Sequence, residues 1–318
     1  MFAEIGTNIS LAREILENGD LVSIPTETVY GLAGNAFNPD AVIKIFKVKN
    51  RPSFDPLIVH TYSIDKVQEF VEEIPDKAKI LMKKFWPGPL TVLLKKKQII
   101  PDLVTSGSHL VAVRIPGHSL TLKLLSSLSF PLAAPSANPF GYISPTTAQH
   151  VYDQLGDKLK YILDGGSSLV GIESTIVGFE EEETIVYRLG GISIESLEKE
   201  VGKIKTILSS SSKPSSPGML SSHYAPSKEV VTDLSEALKS HDINEVSYLA
   251  FKEYNAAVPV ANQFLLSKTG SVEEAASNLF AGMRKLDGLP TKIIVVEFLP
   301  EKGLGRAIND RLRRASVK

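Results

Sequence analysis

The sequence contains no cysteine among its 318 residues. Disulfides, thiol nucleophiles and cysteine-ligated zinc or iron–sulfur sites are therefore excluded. Neither sign of charge is in excess, because 35 basic side chains face 36 acidic ones and the formal net charge is −1. Net charge therefore gives no support to a protein that coats a polyanion, although local basic patches are compatible with this balance.

Long apolar runs are missing as well. No uninterrupted apolar stretch is long enough to span a bilayer. The opening stretch, MFAEIGTNISLAREILENGD, has acidic residues and helical periodicity but lacks the apolar core and cleavage site of a secretory signal. We therefore expect a soluble, cytoplasmic protein that does not contact a membrane.

The periodicity of the chain predicts two α/β units joined by a linker. With 43% hydrophobic residues, the chain can bury a substantial core, and its length suggests about two domains. Alternating strand and helix patterns predict a large mixed α/β domain over residues 1–207. A serine- and proline-rich linker follows over 208–227, and VSYLAF, VEEAASNLFAGMRKL, TKIIVVEF and GRAINDRLRRA predict a small β-α-β-α unit over 228–318. We expect few contacts between the two units.

A candidate anion site lies in the segment KVKNRP. The sequence has no GxxxxGK[ST] motif, so a nucleotide would not be bound by a P-loop. Lys49 and Arg51 stand at the end of a predicted helix that Pro52 terminates, and beyond that point both side chains can turn toward one anion. The alternative is that they are ordinary C-terminal cations that interact with the helix dipole, which is the commoner origin of a lone K-x-R.

Four further stretches carry polar residues at predicted strand ends or loops. Ser136 and Asn138 in APSAN lie where backbone could approach a ligand, but the same residues are typical of turns. Thr28 in PTETVYGL follows a strand, or belongs to a helix cap. Arg114 in VAVRIP needs an anionic partner if it is buried. His60 in PLIVH could serve a site, although a lone strand-end histidine is more often structural.

Taken together, these stretches resemble one family. PTETVYGL, KNRP, PLIVH, VAVRIP, APSAN, ESTIV and YRLGG occur in the order found in the threonylcarbamoyl-AMP synthase family, whose catalytic module is the YrdC-like domain. SPGM, HYAP and GLGRAINDRLRRAS resemble its long, two-domain form. The resemblance implies a twisted mixed α/β catalytic domain followed by a small Rossmann-like domain. It also implies a nucleotidyltransferase that joins L-threonine, bicarbonate and ATP into threonylcarbamoyl-AMP and pyrophosphate, for modification of tRNAs that read codons beginning with A.

The resemblance further implies roles for individual residues. The nucleotide positions are Lys49, Arg51, Asp55, Ser136, Asn138, Ser144 and Arg188, and the threonine positions are Thr28, His60, Arg114 and Ser174. No covalent nucleophile is needed, because Lys49 and Arg51 can act electrostatically. Mg²⁺ is expected to arrive with ATP, and its protein ligands are not assigned.

The segment SPGMLSSHYAP, residues 216–226, is unusual for a spacer, which needs neither an imidazole nor a phenol. By the resemblance, it crosses the catalytic mouth as a lid that brings His223 and Tyr224 near the nucleotide. The alternative is that Tyr224 and Pro226 only dock the linker against a domain surface.

Two other functions remain open from the sequence. Related domains in hydrogenase maturation proteins form a carbamoyl adenylate, but those chains carry zinc-finger and acylphosphatase-like modules that this one lacks. A non-catalytic RNA-binding module is the other alternative, and strongly salt-dependent RNA binding without ATP turnover would support it. A transient contact with tRNA or with the transferase that uses the product is also left open.

Overall fold

The structure, a computed structural model, describes residues 2–180, 183–208 and 223–317. The first two of these ranges form a mixed α/β unit around one 11-stranded sheet. Its strands are β1 Glu4–Gly6, β2 Val22–Ile24, β3 Gly31–Asn35, β4 Ile58–His60, β5 Leu90–Lys95, β6 Leu110–Arg114, β7 Leu132–Ala133, β8 Tyr161–Leu163, β9 Thr175–Glu180, β10 Glu183–Arg188 and β11 Ile204–Thr206. Its helices are α1 Ile9–Glu17, α2 Pro39–Lys49, α3 Ile64–Gln68, α4 Asp76–Phe85, α5 Asp102–Thr105, α6 Ser119–Ser127, α7 Ala148–Leu155 and α8 Ile194–Val201.

The sheet mixes parallel and antiparallel pairs in the order β1-β8-β2-β3-β7-β4-β6-β5-β9-β10-β11. β4 and β6 are parallel neighbours, and their register places His60 directly opposite Arg114. β7 runs antiparallel to β4 on its other side. Side chains from the ends of these central strands therefore lie close together.

Local sequence signals account for α1 and α2. Asn8 caps α1, because its side chain accepts a hydrogen bond from the amide of Leu11 at 3.1 Å. Asn38 caps α2, and Pro39 occupies its first turn, where a missing amide costs nothing. α2 ends at Lys49, and its C-cap residue Asn50 has a φ of 53°, in the left-handed region. In the part of the chain that the structure describes, no helix has both the length and the apolarity needed to cross a membrane.

The second unit has a separate 4-stranded parallel sheet in the order β12-β15-β13-β14. Its elements are β12 Glu229–Val231, α9 Leu234–Ala237, β13 Val246–Ala250, β14 Gln263–Leu265, α10 Val272–Asp287, β15 Ile293–Val296 and α11 Gly305–Ala315, with 3₁₀ turns at Ile243–Glu245 and Val260–Asn262. The predicted β13, α10, β15 and α11 are confirmed. β12 and β14 were not predicted, because three-residue strands leave too short a pattern.

The two units pack closely, so the expectation that few contacts cross between them is wrong. The Tyr142 hydroxyl donates to Asp287 Oδ2 at 2.6 Å, which ties the first unit to the end of α10. A Cβ added at Gly171 would lie 2.4 Å from the Cα of Ser277, so the two backbones touch. The physical reason is that α10 and α11 bury polar and charged side chains against the first unit.

Candidate functional site

A cleft encloses about 580 Å³, part of it open to solvent, among the strand ends of the large sheet. It is lined by most of the residues that the sequence singled out: Thr28, Arg51, His60, Arg114, Ser136, Ser174, Arg188, His223 and Tyr224. Lys49, Asp55, Asn138 and Ser144 do not line it but lie behind it.

Arg51 is held at the cleft by the loop that follows α2. Its Nε donates to the carbonyl of Asp55 at 3.0 Å, its Nη2 donates to the carbonyl of Pro56 at 2.8 Å, and Nη2 also lies 2.8 Å from Asp55 Oδ2. Burial raises the pKa of Asp55, and the charge of Arg51 opposes this shift. Asp55 therefore positions Arg51 from behind and does not face the cleft.

Arg114 ends β6 and is only 4% exposed. Its Nη1 donates to Thr28 Oγ1 at 2.9 Å, and its Nη2 donates to Glu27 Oε1 at 2.7 Å. The second oxygen of Glu27 accepts the amide of Gly117 at 2.8 Å. The buried arginine thus has the anionic partner that it requires. Glu27 fixes the direction of the guanidinium, and Thr28 places a hydroxyl next to it.

Arg188 ends β10 and contacts the segment just before β9. Its Nε donates to the carbonyl of Ser174 at 3.0 Å, and its Nη2 donates to the Ser174 hydroxyl oxygen at 3.0 Å. Burial lowers the pKa of Arg188 to about 10, although Tyr224 and Glu173 oppose the shift, so its guanidinium stays charged at neutral pH. Arg188 and Ser174 form one polar wall of the cleft.

His60 is a buried, neutral side chain of the cleft. Burial, with a smaller contribution from the charge of Arg114, lowers the pKa of His60 to about 3. Its Nδ1 lies 3.2 Å from the carbonyl oxygen of Ile58. A neutral imidazole supplies a polar contact without adding another cation to a site that already contains several.

Lys49 holds the APSAN loop. Its Nζ donates to the carbonyl of Ser136 at 2.6 Å and also to the carbonyl of Asn138. It is only 1% exposed, so it is not a surface cation at a helix end. Burial, and next the charge of Arg51, lower the pKa of Lys49 well below its ordinary value. The two residues of the K-x-R motif therefore have different positions: Arg51 lines the cleft, and Lys49 supports the loop that carries Ser136.

Asn138 and Ser144 are also supporting residues. The Asn138 amide donates to the carbonyls of Pro139 and Tyr142, both at 2.8 Å, and so closes the turn that follows Ser136. The Ser144 hydroxyl donates to Glu173 Oε1 at 2.6 Å. Neither side chain lines the cleft, but Asn138 holds the turn after Ser136 and Ser144 contacts Glu173, and both Ser136 and Glu173 line the cleft.

Tyr224 lines the cleft and also contacts the second unit. Its ring stacks on Phe280 of α10 with centroids 5.7 Å apart, and the His223 ring lies edge-on to it with centroids 4.1 Å apart. Burial lowers the pKa of His223 well below its ordinary value, and the charge of Arg51 adds to the shift. Tyr224 therefore lies at the cleft and is also docked against the second unit, and the lid that brings it near a nucleotide stays a prediction. The remainder of the proposed lid, 216–222, lies outside the described residues.

Two functional candidates were missed from the sequence. Glu173 lines the cleft, and Arg311 of α11 lies behind it. The signal for Glu173 was its position in the motif ESTIV, directly before Ser174. The signal for Arg311 was weaker: it is a charged residue on the buried face of α11, one turn from Ala307 and next to Leu312.

The described residues contain no group of three or more histidine, aspartate or glutamate side chains able to hold a metal ion. The carboxylates of Glu27, Asp55 and Glu173, at or just behind the cleft, are each paired with an arginine. The chain's own side chains in the described ranges therefore do not fit a dedicated magnesium site.

Comparison with known proteins covers almost the whole chain. Residues 14–190 match the Sua5, YciO and YrdC family described as telomere recombination, and residues 192–317 match the threonylcarbamoyl-AMP synthase C-terminal domain. A Pyrococcus abyssi threonylcarbamoyl-AMP synthase is 40% identical, covering 97% of this chain and 94% of the relative. A Bacillus subtilis threonylcarbamoyl-AMP synthase is 38% identical, covering 98% and 95%. The solved structure of P. abyssi Sua5 complexed with L-threonine superposes with a TM-score of 0.88 at 37% identity, covering 99% of this chain and 97% of that one.

Proposed function

The chain belongs to the threonylcarbamoyl-AMP synthase family, and we propose that it is an L-threonylcarbamoyladenylate synthase. It joins L-threonine, bicarbonate and ATP into threonylcarbamoyl-AMP and pyrophosphate. The product serves to modify tRNAs that read codons beginning with A. The observation that carries this proposal is the convergence of three buried arginines, Arg51, Arg114 and Arg188, on one cleft. All three substrates are anions or carry a carboxylate.

Threonine binds at the Arg114 end of the cleft. The planar guanidinium accommodates the α-carboxylate, with its direction fixed by Glu27. Thr28, Ser174 and neutral His60 contact the remaining polar groups of threonine or of its carbamate. A complex with L-threonine is known for the P. abyssi relative, and this chain covers nearly all of that structure.

ATP binds along Arg51, Ser136 and Arg188, with His223 and Tyr224 nearby. Lys49 and Asn138 keep the Ser136 loop in place, Asp55 directs Arg51, and Ser144 directs Glu173. Fixed cations suit a polyphosphate because they stabilise charge without reorganising during the reaction. Mg²⁺ arrives on the triphosphate rather than on a protein site.

The reaction begins when the threonine amine condenses with bicarbonate to give a carbamate and water. A carbamate oxygen then attacks the α-phosphorus of ATP. The new phosphorus–oxygen bond forms as the bond to the β-phosphate bridging oxygen breaks, and the electron pair leaves with pyrophosphate. Catalysis comes from alignment and from cationic stabilisation, so the chain needs no covalent nucleophile.

The proposal is tested by incubating the protein with ATP, threonine and bicarbonate and measuring pyrophosphate. We expect release that requires both threonine and bicarbonate. Equal release without threonine would contradict the assignment. Strongly salt-dependent RNA binding with no pyrophosphate release would favour the RNA-binding alternative instead.

A further inference from the structure

Arg311 is a fully buried cation in the second unit. It lies on α11 and is 0% exposed, although a charged side chain is rarely buried without a partner. On its own helix it donates from Nη1 to the carbonyl of Ala307 at 3.3 Å and to Asp310 Oδ2 at 3.2 Å. These local contacts do not explain why the guanidinium extends out of its own unit.

The partner of Arg311 across the boundary is a residue of the cleft. Arg311 Nε donates to Glu173 Oε2 at 3.1 Å, and Glu173 lines the cleft beside Ser174. The other oxygen of Glu173 accepts the hydroxyl of Ser144. Both carboxylate oxygens are therefore engaged, one of them by the second unit.

Arg311 also supports Tyr224. Its Cζ lies 5.4 Å from the centroid of the Tyr224 ring, within cation–π distance. The same ring stacks on Phe280 and lines the cleft. One guanidinium thus contacts two cleft residues, an anion and an aromatic ring, from behind.

This arrangement matters because Glu173 is an anion on the wall of a cleft built for anions. An unneutralised carboxylate there would repel a polyphosphate, and low dielectric would strengthen the repulsion. Of the three cleft arginines, Arg114 pairs with Glu27 and Arg51 with Asp55. Arg188 is bonded to Ser174, and its charge also interacts with Glu173. Within the described ranges, the cation in ion-pair contact with Glu173 is Arg311 of α11.

We propose that Arg311 is a positioning residue of the cleft: it neutralises Glu173 and holds Tyr224, so the second unit sets the affinity of the cleft for polyphosphate. The identity of the polyphosphate as ATP or its pyrophosphate product rests on the proposed function. The neutralisation of Glu173 by Arg311 does not depend on the proposed function.

The test compares Arg311→Met, Glu173→Gln and the double variant, with calorimetric binding of inorganic pyrophosphate as the readout. Arg311→Met leaves the Glu173 charge exposed to the ligand, and we expect affinity to fall about tenfold. Glu173→Gln removes the repelling charge itself, so its affinity should be about tenfold higher than that of Arg311→Met. The double variant lacks the repelling charge as well, so it should bind more tightly than Arg311→Met, and any difference from Glu173→Gln measures the contribution of the Tyr224 contact. Arg311→Lys keeps the charge and should restore most of the affinity.

A matched control exists on the same helix. Arg306 of α11 pairs with Glu195 of the first unit at 2.8 Å, but both are partly exposed and neither lines the cleft. Arg306→Met breaks an ion pair between the same two units and should leave pyrophosphate affinity unchanged. Melting temperatures of all variants separate loss of packing from loss of affinity.

A purely structural ion pair predicts a different pattern. Arg311→Met and Glu173→Gln would then weaken binding equally, and the double variant would be no better than Arg311→Met; either result overturns the proposal. If Arg311→Met does not fold, Arg311→Lys decides the question: this variant keeps the charge, so a loss of about tenfold in it contradicts neutralisation. Threonylcarbamoyl-AMP formation by the unchanged protein is measured separately, so a failure of the proposed function is distinguishable from a failure of this inference.

Discussion

The guanidinium of Arg114 and the carboxylate of Glu27 form an ion pair at the cleft, with Nη2 and Oε1 2.7 Å apart. The arginine side chain is only 4% exposed. The two residues are 87 positions apart in sequence and come from different strand ends. The second Glu27 oxygen accepts the amide of Gly117, so the carboxylate that pairs with the arginine is itself held in place. Arg114 is therefore fixed before a ligand arrives, and fixed groups recognise a carboxylate with less loss of entropy.

Arg114→Ala should weaken threonine binding and leave ATP binding nearly intact. The lost charge-assisted hydrogen bonds correspond to about 1.5 to 3 kcal/mol of threonine binding free energy. Arg114→Lys should recover little of it, because an ammonium lacks the planar fork that pairs with both Glu27 and a second carboxylate. Calorimetry with each substrate measures both effects, and an equal loss of the two ligands would show that our division of the cleft is wrong.

Arg51→Ala should have the opposite effect on the two ligands from that of Arg114→Ala. We expect ATP binding to weaken by about 1.5 to 3 kcal/mol, while threonine binding changes little. This variant also leaves Asp55 buried without its cation, so part of the loss should appear as a lower melting temperature. Arg51→Ala together with Asp55→Asn removes that unpaired charge, and it should regain stability without regaining ATP affinity. Recovery of affinity in the double variant would mean that Arg51 only stabilises its loop.

His60 should make the protein less stable as the pH falls. Its pKa is about 3 in the folded chain, whereas the unfolded chain takes up the proton near the ordinary value of about 6.5. Between these values the unfolded state binds more protons, so the free energy of unfolding decreases as pH falls. His60→Gln should remove about 1 kcal/mol of the decrease at about pH 5.5. Denaturant titrations over this range measure it, with His109→Gln at an exposed position as the control. If the free energy of unfolding fell equally with pH in His60→Gln and in the unchanged protein, His60 would not be buried in its neutral form.

Lys49→Met should affect the Ser136 loop rather than remove a ligand contact. Two buried carbonyls, those of Ser136 and Asn138, lose their donor, and we expect a destabilisation of about 1 to 3 kcal/mol. ATP affinity should fall as well, because Ser136 lines the cleft. Lys47→Met changes an exposed lysine of the same helix and should alter neither quantity. If Lys49→Met lost ATP affinity with no change in stability, the lysine would act on the nucleotide directly.

Much of the fold was predictable because its signals are local. β4 and β6 read as apolar runs that end in His60 and Arg114, and in the structure these two residues are paired in register. The end of α2 was predictable from KNRP, and the structure adds only that Asn50 makes the turn. By contrast, β3 was not predicted, because GLAGN lacks both alternation and β-branched residues.

The partners of site residues could not be predicted in the same way. Helical periodicity shows that Lys49 is near the end of α2, but not that its ammonium meets two backbone carbonyls about 90 residues later. Arg311 and Glu173 are 138 positions apart, and no local pattern relates them. Their contact depends on how the second unit docks, and the sequence had suggested a loose tether rather than a buried boundary.

The central claim is that one cleft joins threonine, bicarbonate and ATP into a single product. The most direct measurement is mass spectrometry of the nucleotide products after incubation with ATP, threonine and ¹³C-labelled bicarbonate. We predict threonylcarbamoyl-AMP that carries the labelled carbon, formed together with pyrophosphate by the unchanged protein and strongly reduced in Arg114→Ala. If ATP were consumed with all three substrates present and no threonylcarbamoyl-AMP carrying the label were formed, the account would be contradicted.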